Sequence, residues 1–412
     1  MPLPPHMKKL LFAVYLIAAA LTAQAGGFQV NSQGQKALGM GGAFTAYNKD
    51  ASAAYFNPGA LALLDSGRYF SIGASYIMPR TTFLSEKTGQ AEDMEPQNFL
   101  PAYLYAAIPV SDRLTLGLSL NSPFQMKSKW NDNWEGRAIN QEISLQTYYV
   151  QPTASFRVSN NFSLGAGLVY AYSDLKVRRQ IGEFNGNGSF SGTASCLGYN
   201  VGIYGKVQDE ISFGITYRST VNFNYDNGEA VFTNIPAPLS SQYQNQGFES
   251  DITMPSTLSV GLSNRITDKV LLAFEFNLTG WANYDSLNFN FADQNTPDSR
   301  SPRKFEDAMA FRVGLNYSPT EKLEVRGGAY FDETPVRDEY ISPDFPDGNR
   351  LGFTTGFTYN LSEKFSVDGA FMFEKVTDRM AIAKENQIAI SNISGTYRTY
   401  VTGVGIGLNY KF

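Results

Sequence analysis

The sequence predicts an all-β protein, a 14-stranded antiparallel transmembrane β-barrel with an N-terminal hatch inside its lumen. Three observations predict it. The chain opens with an export signal. No later uncharged apolar stretch is long enough to cross a bilayer as a helix. A period-two alternation of large apolar with small or polar residues then recurs as far as the C-terminal residue. An exported chain that spans a membrane without apolar helices must close its backbone hydrogen bonds in a barrel.

Residues 1–25 form the signal. Lys8 and Lys9 precede the apolar run Leu10 to Leu21, and Ala23-Gln24-Ala25 supplies the small residues of a cleavage site after Ala25. A run of that length falls short of the ~20 residues a transmembrane helix needs. Either Met1 or Met7 serves as the start.

Residues 26–67 break the alternation. They are rich in Ala and Gly, with turn chemistry at Asn48–Asp50 and at Asn57, Pro58 and Gly59. Small residues permit close packing in a confined space, and Phe28, Phe44, Tyr55 and Phe56 need burial. The lumen satisfies both demands, so this stretch is assigned as the hatch. Its glycines do not spell G-x-G-x-x-G, which removes a dinucleotide site.

The barrel is assigned to residues 68–412. Leu164, Ala166, Leu168 and Tyr170 alternate with Ser163, Gly165, Gly167 and Val169; Met309, Phe311, Val313 and Leu315 alternate with Ala310, Arg312 and Gly314. The apolar face meets lipid and the small face leaves room in the lumen. Short polar turns, such as Ser111-Asp112-Arg113 and Ser362-Glu363-Lys364, number six. Seven long connections fall between them, near 85–96, 127–136, 178–191, 222–250, 292–306, 332–349 and 376–395. Thirteen connections join fourteen strands, with both ends of the barrel on the short-turn, periplasmic side. The last strand carries Val404, Ile406, Leu408, Tyr410 and Phe412 on one face and Gly403, Gly405 and Gly407 on the other. Its aromatic end resembles the signal read by the barrel-assembly machinery, which names that machinery as a partner through Phe412.

Composition excludes several functions. The single Cys, Cys196, forms no intrachain disulfide. The single His, His6, lies within the signal, so the mature chain lacks imidazole for a catalytic triad or a metal site. The chain is therefore read as no enzyme, with no catalytic residues, metal or cofactor. The net charge of -5 argues against a nucleic-acid partner.

Four stretches carry a resemblance. They are Gly26-Gly27-Phe28-Gln29; Asp50-Ala51-Ser52-Ala53-Ala54-Tyr55-Phe56-Asn57-Pro58-Gly59-Ala60-Leu61; Trp130 and Trp134-Glu135-Gly136-Arg137 with Gln151-Pro152-Thr153-Ala154; and Asp332-Glu333-Thr334-Pro335-Val336-Arg337-Asp338 with Phe345-Pro346-Asp347-Gly348-Asn349-Arg350. Together they resemble the outer-membrane long-chain fatty-acid and hydrocarbon transporters of the FadL type. Members usually have Ala then Gly after the hatch proline, where this chain has Gly59 and Ala60.

That resemblance implies passive transport of hydrophobic compounds, fatty acids first, across the Gram-negative outer membrane. Aromatic hydrocarbons are the alternative cargo; a hydrophilic porin or an adhesive barrel is the more distant one. The implied route runs from an external groove to a lumen pocket, then sideways through a kink in the third strand. Asn121, Ser122 and Pro123 hold the matching position, where Pro cannot donate to the ladder. Phe28 and Phe124 are the family-pattern candidates for the apolar wall. Arg218, Arg312, Arg326 and Arg350 alternate toward the lumen and are candidates for a carboxylate head group, with Glu275, Glu324 and Asp368 as competing partners. Outer-membrane lipid and lipopolysaccharide are the expected surroundings.

Overall fold

A computed structural model describes residues 26–47, 49–182, 185–382 and 393–412. The signal segment and its cleavage site lie outside the described residues. The chain forms a closed antiparallel barrel of 14 strands. In chain order they are β1 (Tyr69–Ser85), β2 (Ala102–Pro109), β3 (Leu114–Asn121 continued by Gln125–Lys129), β4 (Glu142–Ser159), β5 (Phe162–Ile181), β6 (Gly186–Lys206), β7 (Ile211–Arg218 continued by Val221–Thr233) and β8 (Gln246–Met254 continued by Thr257–Thr267). The circuit continues through β9 (Val270–Thr279), β10 (Ala308–Tyr317), β11 (Leu323–Asp332), β12 (Arg350–Asn360), β13 (Phe365–Val376) and β14 (Gly395–Lys411). Each strand pairs with the next, and β14 returns to β1 from Tyr69↔Lys411 to Ser85↔Gly395. Closure removes the sheet edges that a bilayer cannot hydrate.

The alternation sets the two faces. On β5, Leu164, Leu168 and Tyr170 are exposed, while Ser163, Val169 and Ala171 are buried. On β14, Val404, Ile406 and Leu408 point outward. The six short turns stand where the sequence puts them. The long connections are less open than expected. β5 and β6 stay paired to Ile181↔Gly186, and β7 and β8 run on to Thr233 and from Gln246, so ladder fills most of 178–191 and 222–250. Charges such as Arg178 and Arg179 interrupt a lipid-facing pattern, but a strand above the bilayer has no lipid to satisfy.

Residues 26–47 and 49–64 form two short helices, Gln35–Gly39 and Ala53–Phe56, and a 3-10 turn, Pro58–Leu63, packed against the inner faces of the strands. Above them the lumen is filled by an apolar cluster that includes Leu145, Tyr149, Phe223, Tyr225, Phe248 and Trp281.

Candidate functional site

The N-terminal segment fits because glycines leave the lumen wall bare at the points of closest approach. A Cβ on Gly165 would collide with the Pro58 carbonyl, one on Gly202 with the Asn57 side chain, and one on Gly214 with the Thr45 carbonyl. Gly328 gives the same room to Gly41, and Gly405 to Gln35. Asn57 ties the turn to the wall: its Nδ2 donates to the carbonyls of Thr45 and Ile203, both at 3.0 Å, and its Oδ1 accepts from Gly59 N at 3.0 Å. Pro58 then opens the 3-10 turn, where a missing N–H costs nothing. Glu275 accepts from Phe44 N at 2.8 Å and Thr45 N at 2.7 Å. Lys36 and Asp50 pair at 2.8 Å within the segment. Burial works against the charge on Asp50, but Lys36 and two hydrogen bonds from Ser52 outweigh it, holding the carboxyl below its usual range.

β3 is broken at Ser122, Pro123 and Phe124. Both of its pieces pair with β4, at Asn121↔Tyr149 and Gln125↔Gln146. On the other side, the ladder with β2 reaches only Leu104↔Leu120. Above that point the chain before β2 turns to β1, through Phe99 and Ile77 at 3.0 Å. Among the described residues, no ladder joins 96–101 to 122–128 until Glu95 N donates to Lys129 O at 2.8 Å, beside a Lys129–Glu95 ion pair at 2.8 Å. The N-terminal segment covers the exposed edge from inside. Val30 N donates to Pro123 O at 2.8 Å, and Gln125 N donates to Phe28 O at 3.0 Å. Gln33 Nε2 adds a bond to Ser122 O at 2.8 Å.

A cavity of about 950 Å³, counted to its open mouth, lies against this seam. Its walls are largely apolar: Phe28, Ile77, Met94, Phe99, Met126, Phe345, Met372 and Val401. Phe28 is buried, with its ring edge-on to Trp281 at 4.6 Å, Tyr284 at 5.7 Å, Phe345 at 5.7 Å and Phe124 at 6.3 Å. A second, more polar cavity of about 700 Å³ touches Gln29, Tyr55, Pro123, Phe124, Arg218, Glu275 and Arg312.

The four arginines separate. Arg350 reaches the apolar cavity but is held by Asp347 at 2.7 Å, by the Gly27 carbonyl and by Glu374 at 4.0 Å. Arg312 pairs with Asp332 at 2.9 Å and donates to Asn277 Oδ1 at 2.7 Å and Gly41 O at 3.3 Å. Arg218 donates to Gln151 Oε1 at 2.7 Å and Tyr55 O at 3.0 Å, and stacks over the Tyr55 ring at 4.5 Å. Arg326 is buried between Glu324, at 2.5 Å, and Thr358, and lines neither cavity. Sequence reasoning passed over Lys127, Met126 and Phe99 on the seam. The one legible signal for Lys127 and Met126 was closeness in sequence to Pro123; Phe99 is placed there only through its bridge to Ile77 of β1.

The family model described as "Outer membrane protein transport protein (OMPP1/FadL/TodX)" matches residues 16–412. A "Long-chain fatty acid transport protein" of Escherichia coli O6:H1 is 24% identical over 408 residues, covering 88% of this chain and 90% of the relative. "Outer membrane protein P1" of Haemophilus influenzae is 23% identical over 462 residues, covering 98% of each. Among solved structures, a Pseudomonas aeruginosa FadL homologue superposes with a TM-score of 0.84 at 18% identity, covering 94% of this chain and 100% of that one. The P. putida toluene transporter TodX gives 0.70 at 14% identity, covering 95% and 99%.

Proposed function

The chain belongs to the OMPP1/FadL/TodX family of outer membrane transport proteins, and from that premise we propose that it moves long-chain fatty acids through the apolar cavity and out sideways between β2 and β3. At the coarser level it is a Gram-negative outer-membrane transporter of hydrophobic compounds, and the family is one of transport channels rather than enzymes. The observation that carries the finer reading is the apolar cavity set against a wall seam that the chain's own Phe28–Val30 closes.

The physics is that of sheltered transfer. Each CH₂ taken from water contributes ~0.8 kcal/mol, so a long alkyl chain needs a continuous apolar surface. Phe28, Met126 and Met372 supply it. Residues 26–67 act as the hatch, with Asn57, Pro58 and Gly59 fixing them to the wall, so water and ions are held back while the cargo leaves. The break at Asn121, Ser122 and Pro123 is the exit. Phe28 and Phe124 edge the route. Arg350 stands at the cavity, while Arg218, Arg312 and Arg326 chiefly brace the lumen. Cargo that displaces Phe28–Val30 breaks two main-chain bonds to β3 and uncovers the seam.

Uptake tests this reading. Cells that express the protein import labelled oleate faster than cells without it. Equal oleate rates, with toluene entry enhanced, would give the cargo as aromatic hydrocarbon instead; equal rates for both remove transport.

A further inference from the structure

Two cations line the apolar cavity, Arg350 and Lys127. The carboxylates on the same walls are already engaged. Asp347 and Glu374 flank Arg350, and Asp344 forms a buried pair with Arg303. The neighbouring Lys129 is matched by Glu95. Lys127 is left over: no carboxylate lies within ion-pairing distance of it among the described residues, and its Nζ stands 5.7 Å from the centre of the Phe99 ring. That contact crosses the seam. Phe99 belongs to the chain paired with β1, and Lys127 to the upper piece of β3, which pairs with β4. Ring and ammonium thus span the stretch where backbone ladder is missing.

We infer that Lys127 is the specificity-determining residue of the seam: its ammonium receives the carboxylate of an apolar acid lying in the cavity, and in doing so leaves the Phe99 ring that it otherwise holds. An ion pair with a carboxylate is stronger than a cation held over a phenyl face, so the exchange runs toward the acid. A neutral hydrocarbon of the same length fills the cavity but offers Lys127 nothing. The residue therefore couples the cargo's charge to the opening of the wall. The inference deepens the apolar-cargo reading and rests on it.

Binding to protein in lipid nanodiscs separates the two. The probes are dodecanoate, methyl dodecanoate and dodecane, titrated at pH 8 by calorimetry against wild type, Lys127→Gln and Lys127→Arg. We expect wild type to bind dodecanoate about tenfold more tightly than its ester, a ratio equal to ~1.4 kcal/mol. Lys127→Gln abolishes that ratio while still binding ester and dodecane, and Lys127→Arg keeps it. Equal binding of acid and ester by wild type overturns the inference and leaves apolar transport standing, and so does an acid preference that survives in Lys127→Gln. Wild-type protein that binds none of the three overturns the apolar-cargo reading, and this inference with it. Binding of ester and dodecane by each variant reports that it is folded, and Lys127→Arg supplies a second variant in which the acid preference is read.

Discussion

Gly165 shows how much a single missing methyl group decides. Its Cβ position is occupied by the Pro58 carbonyl, which belongs to backbone and cannot step aside. Gly165→Ala therefore leaves the barrel able to form but unable to seat residues 57–60. We expect normal heat-modifiable migration on gels, with faster entry of small hydrophilic antibiotics. Gly327 has open space around its Cβ position, and Gly327→Ala should leave that permeability at the wild-type level. The ion pair of Lys36 and Asp50 makes a second case. Asp50→Asn strands a buried ammonium, at a cost of about 3–5 kcal/mol, and the segment should then exchange its amide hydrogens faster than wild type. The Asp50 carboxyl is held below its ordinary range, so its contribution is present above the unfolded value of ~3.9 and is lost as pH falls through the folded one. Exchange over residues 34–56 should accordingly stay slow at pH 5 and quicken only below about pH 4; quickening already at pH 5 would contradict the assignment.

Pro123 governs an element. Its ring removes the N–H that would point toward β2, and its carbonyl is taken by Val30. Pro123→Val restores a donor and strand propensity. The two pieces of β3 should then join, and oleate uptake should fall severalfold while the barrel remains heat-modifiable. Unchanged uptake would detach the break from cargo release. This element was half legible. The proline marked the interruption, because a residue without an amide hydrogen is unwelcome in a ladder. That Phe28–Val30 would serve as its substitute partner depends on a pairing almost a hundred residues apart, which no local pattern encodes. The membrane-crossing strands were legible for the converse reason: lipid on one side and a crowded lumen on the other impose period two on every one of them. The extensions of β5 to β8 above the bilayer lacked that pressure. Their buried aromatics, Phe190, Phe232 and Phe248, pack on one another, and on Phe289 of the connection before β10, rather than on lipid. The four arginines illustrate the limit for the site. Alternation placed them on the lumen side and Glu324 within reach of Arg326, but Asp332 comes from the neighbouring strand, Asp347 from the connection before β12, and the Tyr55 carbonyl from the N-terminal segment.

For the whole molecule, removing residues 26–66 while keeping the export signal should open a water-filled bore. Single-channel conductance in planar bilayers should rise from near the baseline to a steady open level. A truncated barrel as tight as the intact one would show that the side chains of the wall, not the N-terminal segment, make the seal. Gln35 adds one consequence. Its amide donates to Ala74 O at 3.1 Å and Ser75 Oγ at 3.0 Å on β1, and it rests in the space left by Gly405 on β14. The two staves it touches are the first and the last to be made, and they meet along the joint that finishes the cylinder. A segment that touches both sides of the final joint ties its own seating to the closure of the cylinder, because the same glutamine makes contacts that exist only when the joint is complete.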